Sequence, residues 1–260
     1  DAGANPPRFQ LERSLGFGSS KPLETRKAAM ERIYDCSVDT DLLTGMRLAK
    51  ASLGRHELVV LPTDTVYGIG CDAFSAKGVA ALLAAKGRGR QSPPPVLIPN
   101  IATMRALAEV VPDAALALAN TFWPGALTMI LRSQPSLTWD LGETKGTVAL
   151  RMPDHKIALA LLEEVGPLAV SSANLTGEPA AVTCAQAEGY LGKSVKVYLD
   201  GGPSPKGEAS TIVDLTDLRY ETDAKGNQVE VGKIRIVRKG ALSTAKIRSV
   251  VGDLLESDAS

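Results

Sequence analysis

A short basic segment in the middle of the chain carries the residues best suited to holding phosphates. Lys86, Arg88 and Arg90 occur in the sequence KGRGR, and its glycines leave room for a ligand to approach the backbone closely. Cations at a helix C-terminus also complement the helix dipole and can simply stay solvated. The segment therefore predicts either a phosphate-binding loop or a solvated helix end.

A second segment, PTDTVYGIG, crowds hydroxyl groups and a carboxylate where an apolar run ends. It spans Pro62 to Gly70 and follows the run ELVVL, which is typical of a buried strand. Ligands of α/β proteins usually lie at the carboxyl ends of strands. A hairpin turn whose hydroxyls satisfy only the local backbone is the alternative.

Polar groups also stand at the ends of four further apolar runs. Arg151 ends TVALR, Ser172 and Asn174 follow LAV, Ser210 opens STIVDL, and Arg238 ends RIVR. Each could belong to a local turn or a surface ion pair. Five polar loops at five strand boundaries instead predict one shared crevice.

The elements that must position these loops alternate between helix and strand from residue 40 onward. Helices are predicted from Asp39 or Thr40, Ser75, Asn100, Pro112, His155, Ala185 and Ser243. Strands are predicted at ELVVL, VLIP, ALTMILR, TVALRMP, LAVSS, VKVYLD, STIVDL and KIRIVR, and an exposed hairpin at RYETDAKGNQVEV. Because strands both alternate with helices and follow one another, we expect an α/β (α+β) fold built on one mixed sheet.

Two segments of the chain differ in pattern. Residues 1–29 lack periodicity and precede Met30, so we expect a flexible N-terminal extension outside the fold. No linker divides residues 30–260, which we expect to form a single domain.

Composition excludes several functional classes. The chain has 29 Lys and Arg against 29 Asp and Glu, so no net charge draws it to nucleic acid or an anionic membrane. Its three cysteines form no CxxC pair, and no apolar run is long enough for a membrane span, which favours a reduced cytoplasmic protein. Two histidines without metal-ligand spacing, and no Walker A or GxSxG motif, argue against protein-built zinc, P-loop and serine-hydrolase sites.

Taken in order, the motifs LPTDTVYGIGCDA, KGR, TVALRMP, SSAN, STIVD and RIVRKGA resemble the L-threonylcarbamoyladenylate synthase family, whose signature is KxR followed by SxN. The resemblance covers Glu57 to Gly240. The chain is similar to the short members of the family, which have a single domain. It implies a single twisted mixed sheet, flanked by helices, around a large concave cavity.

The resemblance also implies a reaction. L-threonine, bicarbonate and ATP would give threonylcarbamoyl-AMP and pyrophosphate, with Mg²⁺ accompanying ATP. A downstream tRNA threonylcarbamoyl transferase would then modify tRNA, so this protein itself would bind tRNA weakly at most.

The family pattern assigns roles to residues of this chain. Lys86 and Arg88 would be catalytic, by neutralising charge on the transferring phosphate. The residues implied to bind threonine are Thr65, Tyr67, Arg151, Ser172 and Ser210. Those implied to bind ATP are Lys86, Arg88, Ser92, Thr147, Asn174 and Arg238, and no protein side chain is assigned to a metal.

Two alternatives remain open at this point. An RNA-binding or ribosome-assembly protein could use the same concave basic surface, although aromatics make up only 4% of the chain. A carbamoyl-phosphate-processing enzyme could share the fold with different chemistry.

Overall fold

The computed structural model describes residues 32–257, which are organised around one large sheet. In chain order the strands are β1 Ile33–Asp35, β2 Val59–Leu61, β3 Gly68–Asp72, β4 Val96–Leu97, β5 Leu127–Arg132, β6 Thr147–Arg151, β7 Leu168–Ser172, β8 Val197–Asp200, β9 Thr211–Asp214, β10 Arg219–Thr222, β11 Gln228–Val231 and β12 Arg235–Arg238. The helices are α1 Asp39–Gly54, α2 Ala76–Lys86, α3 Ile101–Leu107, α4 Asp113–Phe122, α5 Lys156–Val165, α6 Cys184–Leu191 and α7 Thr244–Val251. The predicted extension of residues 1–29 lies outside the described residues.

The sheet is mixed, as the sequence predicts. Ten strands run in the order β1-β8-β2-β3-β7-β4-β6-β5-β9-β12, and β10 and β11 form a separate hairpin. The β1–β8, β2–β8, β4–β6 and β5–β9 pairs are parallel, and the other pairs are antiparallel. Among the helices of residues 32–257, none combines the length and apolar character that crossing a bilayer requires.

Helices cover the two faces of the sheet unequally. Successive side chains of a strand point to opposite faces, so Val60 joins one apolar cluster while Val59 and Leu61 join the other. The larger cluster takes its helical residues from α2, α3, α4, α6 and α7. The smaller takes them from α1 and α5, and its strand residues come from β2, β4, β7 and β8. The second face of β5, β6 and β9 is therefore left without a helical cover in the described residues.

Local sequence signals set most helix ends where they are predicted. The side chains of Ser75, Asn100 and Ser243 each accept a hydrogen bond from a backbone N–H in the first turn of α2, α3 and α7. Gly87 ends α2 in the left-handed region at φ 65°, a conformation that glycine adopts without steric cost. These positions confirm the capping prediction.

The capping residue predicted for α1 is wrong. Val38, not Asp39 or Thr40, precedes the first turn, and it makes no side-chain capping bond. Asp39 and Asp41 lie inside the first turn instead, where carboxylates are stabilised by the helix dipole.

The polar segment after β2 is shorter than predicted. It ends at Tyr67, because Gly68 begins β3, which pairs antiparallel with both β2 and β7. A Cβ atom on Gly68 would lie 2.5 Å from Cγ1 of Val170, so only glycine lets β3 pack this closely on β7. The strand β1, which has three residues, was not predicted from the sequence.

Candidate active site

A cavity of about 290 Å³ opens on the sheet face that α1 and α5 leave uncovered. It brings together many of the predicted site residues, which come from distant parts of the chain: Thr65, Tyr67, Arg88, Arg151, Ser172, Ser210 and Arg238. Thr63, Gly68, Thr128, Ser171 and Ile212 also line it. The shared crevice that the strand ends predict is thus present.

Sheet register explains why these loops meet. Ser172 ends β7 opposite Gly68, the first residue of β3. Arg151 ends β6 beside Leu97, the last residue of β4, in a parallel pair. These strand ends, with the start of β9 and the end of β12, all reach the same rim of the sheet.

Arg151 is the most deeply placed charge of the cavity wall. It is 7% exposed, and its Nε donates to the carbonyl oxygen of Gly125 at 2.9 Å. Its Nη1 donates to the Thr65 hydroxyl oxygen at 2.9 Å, and its Nη2 donates to the Asp64 carboxylate. A guanidinium has five N–H groups, and these three bonds leave two of them without a partner among residues 32–257.

Asp64 is a buried carboxylate beside the cavity wall to which the sequence assigned no role. Its carboxylate is 2% exposed and accepts hydrogen bonds from Arg151, from Lys206 Nζ at 2.9 Å and from the backbone N–H of Asp154 at 3.0 Å. Burial alone would raise the pKa of Asp64, but the charges of Arg151 and Lys206 outweigh it and hold that pKa below its ordinary value. Its position between two threonines of the polar loop was the available signal.

Tyr67 is among the residues that line the cavity, but its side chain is fully buried and its hydroxyl bonds to the loop after β8. The hydroxyl donates to the carbonyl oxygen of Gly202 at 2.7 Å and accepts from the backbone N–H of Gly201 at 3.1 Å. Burial and the nearby Asp200 carboxylate raise the pKa of Tyr67. Tyr67 is therefore neutral, and its hydroxyl fixes the polar segment after β2 to the loop after β8.

Arg88 and Arg238 form the cationic end of the cavity. Arg88 reaches only hydroxyl oxygens, of Thr176 at 3.2 Å and Ser171 at 3.4 Å, and Arg238 donates to the Ser210 carbonyl oxygen at 2.8 Å. Neither forms a salt bridge with a carboxylate of the described residues. Burial and the charge of Arg88 lower the pKa of Arg238. Two neighbouring guanidinium groups without a counter-ion predict that an anion binds between them.

Lys86 lies behind the cavity wall rather than on it. It is 1% exposed, and its ammonium group donates to the carbonyl oxygens of Ser172 and Asn174 and to Oδ1 of Asn174. Asn174 in turn donates from Nδ2 to the carbonyl oxygen of Glu178 at 2.7 Å. In this arrangement Lys86 and Asn174 hold the loop after β7 in place, and their direct contact with ATP stays a prediction.

Thr147 and Ser92 are two further predicted ATP ligands that do not line the main cavity. Thr147 lines a smaller apolar cavity of about 190 Å³, which shares Pro93, Pro95 and Ile212 with the main one. Ser92 lines neither. A ligand extending from the cationic end across Ile212 would reach Thr147.

Other reactive groups are poorly placed for chemistry. Burial raises the pKa of Cys36 to about 11, and it also raises that of the buried thiols of Cys71 and Cys184. In residues 32–257 no three His, Cys, Asp or Glu side chains come close enough to hold a metal ion. The arrangement is suited to positioning and charge neutralisation by arginines and hydroxyls.

Sequence comparison relates this chain to known proteins. A Mycobacterium leprae protein is 49% identical over 223 residues, which cover 86% of this chain and 95% of its own length. The threonylcarbamoyl-AMP synthase of Bacillus subtilis is 36% identical over 208 residues, covering 79% of this chain and 56% of its own length.

Structural comparison gives the same relatives. A crystal structure of Pyrococcus abyssi Sua5 complexed with L-threonine matches with a TM-score of 0.71 and 31% identity, covering 81% of this chain and 58% of that one. Residues 51–223 match the model of the Sua5/YciO/YrdC family, described as telomere recombination. This chain therefore belongs to the Sua5/YciO/YrdC family.

Proposed function

We propose that this protein is a threonylcarbamoyl-AMP synthase, a nucleotidyltransferase that uses L-threonine, bicarbonate and ATP. The observation that carries the proposal is one cavity with two chemically different ends. Arg151 has two N–H groups without a hydrogen bond and lies beside the Thr65 hydroxyl, whereas Arg88 and Arg238 form no salt bridge with a carboxylate of residues 32–257. The similarity to proteins that bear this name, and to a structure holding L-threonine, supports it.

Threonine fits the Arg151 end. A guanidinium with paired N–H groups matches a carboxylate in bidentate geometry. The Thr65 hydroxyl lies 2.9 Å from Arg151 and is the partner that this end offers to a substrate hydroxyl. The Ser210 hydroxyl lies 2.8 Å from that of Thr128 and 3.2 Å from Nη2 of Arg238, so it adjoins the cationic end. A cavity of about 290 Å³ is of the size that small-molecule ligands occupy, which favours an amino acid substrate over the RNA-binding alternative.

ATP fits the cationic end. Arg88 and Arg238 would hold the phosphates, and the neighbouring apolar cavity beside Thr147 would receive the remainder of the nucleotide. Mg²⁺ would arrive with ATP, since the cavity offers hydroxyls rather than a carboxylate cage and this ion is commonly held through substrate phosphates. When bound, it would add to the neutralisation of phosphate charge.

The chemistry needs positioning more than a strong base. The threonine amine attacks the carbon of bicarbonate, and water is lost to leave a carbamate. A carbamate oxygen then forms a bond to the α-phosphorus of ATP as the bond to the pyrophosphate oxygen breaks. Arg88 and Arg238 would stabilise the charge that develops on the phosphates, with Lys86 holding the loop that faces them.

The product would serve tRNA modification by a separate transferase. The chain carries no net charge, which fits release of a small adenylate better than tight tRNA binding. We expect the protein to work in the cytoplasm, where its tRNA-modifying partner would act.

Mass spectrometry tests the proposal. Incubation with ATP, Mg²⁺, L-threonine and ¹³C-bicarbonate should yield threonylcarbamoyl-AMP that carries the label, with release of pyrophosphate. Omission of any one substrate should abolish it. Equal product from carbamoyl phosphate without bicarbonate would overturn the proposal in favour of carbamoyl-phosphate processing.

A further inference from the structure

Lys206 reaches the cavity wall from the loop that connects β8 to β9. Its ammonium group lies 2.9 Å from Oδ2 of Asp64, while Arg151 occupies the other carboxylate oxygen. The Asp64 side chain is 3% exposed and the Lys206 side chain is 41% exposed. A partly exposed lysine is therefore bonded to the buried Asp64–Arg151 ion pair. Lys206 does not itself line the cavity.

The charges of this cluster matter for ligand binding. Arg151 and Asp64 alone would present a neutral pair to an incoming carboxylate. With Lys206 the three groups carry one net positive charge, which matches the single carboxylate of threonine. The carboxylate of Asp64 would otherwise repel that of the substrate at short range.

We propose that Lys206 is a positioning residue for the amino acid substrate. It neutralises Asp64, so that the charge of Arg151 remains available to the substrate carboxylate. This inference rests on the proposed function, because it takes threonine to bind at the Arg151 end.

The loop that carries Lys206 has other anchors. The Gly202 carbonyl oxygen accepts a hydrogen bond from the Tyr67 hydroxyl at 2.7 Å, and the Ser204 N–H donates to the Val182 carbonyl oxygen at 2.8 Å. Removal of the Lys206 ammonium therefore takes away a charge while these backbone contacts persist. Lys206 could act through its charge or by holding its loop in place, and these two roles predict different effects of removing the ammonium group.

Titration calorimetry with L-threonine, in the absence of nucleotide, separates the two roles. Lys206→Met should raise the threonine Kd about threefold to tenfold, the effect of one partly screened charge, and Lys206→Arg should stay near wild type. Asp64→Asn combined with Lys206→Met should bring the Kd back to within about twofold of wild type, since neutral asparagine restores the net charge. High salt should shrink the effect of Lys206→Met.

A matched control removes a different lysine from a salt bridge. Lys50 lies 3.4 Å from Glu164, with both side chains more than half exposed, and Lys50→Met should leave threonine binding unchanged. In steady-state assays Lys206→Met should raise the threonine KM and leave the ATP KM unaltered. If Lys206 instead served to hold its loop against the cavity wall, Lys206→Met would lower kcat or change the KM values of both threonine and ATP.

The results of these experiments distinguish a failure of the Lys206 inference from a failure of the proposed function. If wild-type protein forms the adduct but Lys206→Met binds threonine as wild type does, the role of Lys206 is wrong and the function stands. A double variant no better than Lys206→Met also overturns the charge role. If melting temperatures show that the double variant fails to fold, the salt dependence of Lys206→Met decides, and no dependence overturns the inference. Wild-type protein that binds no L-threonine overturns both.

Discussion

The Lys86 ammonium group lies 2.7 Å from the backbone oxygen of Asn174 and 3.1 Å from its side-chain oxygen. This contact joins the end of α2 to the loop after β7, and so connects the two halves of the KxR and SxN pattern. No carboxylate of the described residues pairs with Lys86. Burial, and then the charge of Arg88, lower the pKa of Lys86 to about 8.

The depressed pKa of Lys86 predicts a pH dependence of stability. Between about pH 8 and the ordinary value of 10.5, the unfolded chain binds a proton that folded Lys86 has lost. The contribution of Lys86 to the free energy of unfolding should therefore rise with pH. Relative to Lys86→Met, wild-type protein should gain about 1 to 2 kcal/mol between pH 7 and pH 9.5, measured by urea denaturation.

Lys50→Met provides the comparison for this pH series, since Lys50 is solvent-exposed. The same pH series on Lys50→Met separates the effect of removing a buried lysine from that of removing any lysine. Parallel curves for wild type and Lys86→Met would show that the pKa of Lys86 is not lowered.

Arg88 should matter for ATP and not for threonine. Arg88→Ala removes a guanidinium from the cationic end, and loss of a charged hydrogen-bond partner should raise the ATP Kd about tenfold to a hundredfold. Threonine affinity measured without nucleotide should be kept. Arg90→Ala is the matched control, because Arg90 lies in the same loop and forms an exposed salt bridge with Asp140 at 2.8 Å.

Arg151 should matter for threonine binding and not for ATP binding. Arg151→Lys keeps a charge near Asp64 but loses the planar fork, so the threonine Kd should rise about tenfold while ATP binding changes little. Arg151→Ala should in addition lower the melting temperature, because the half-exposed Lys206 would be the one remaining salt-bridge partner of the buried Asp64 within residues 32–257. Equal losses for both ligands in the Arg151→Lys and Arg88→Ala variants would make the two arginines structural.

Features that depend on neighbouring residues in the chain could be predicted from the sequence. Ser75, Asn100 and Ser243 cap their helices, and Gly87 stops α2, because capping needs only the backbone of the next turn. The start of β3 could not be predicted, since glycines usually indicate a loop. Glycine is required at position 68 because a larger side chain would clash with Val170, which lies about a hundred positions away in the sequence.

The packing of Gly68 gives a stability prediction. Gly68→Ala should lower the free energy of unfolding by about 1 to 3 kcal/mol, because the new methyl group overlaps Val170. Val170→Ala in the same chain should recover part of that loss by making room. Chemical denaturation of both variants measures the coupling.

Gly54→Ala is the matched control, since no atom lies within 4 Å of a Cβ at that position. It should be neutral or stabilising, because alanine favours the helix. A similar loss for the two alanine variants would contradict the steric explanation.

The candidate site could be predicted only in part for the same physical reason. Polar residues at strand ends indicate a shared rim, because sheets align those ends whatever their separation in sequence. Which polar groups pair with each other depends on the tertiary arrangement. Asp64 and Lys206 illustrate this, since 142 positions separate two residues that form one salt bridge.

A structure of the protein with L-threonine and a non-hydrolysable ATP analogue bound together tests the central claim most directly. The claim is that one cavity holds the amino acid at Arg151 and the phosphates at Arg88 and Arg238. The threonine carboxylate should then lie about 3 Å from the Arg151 guanidinium, and phosphate oxygens should lie at a similar distance from Arg88 or Arg238. Threonine bound outside the cavity, or phosphates bound at Arg151, would contradict the account.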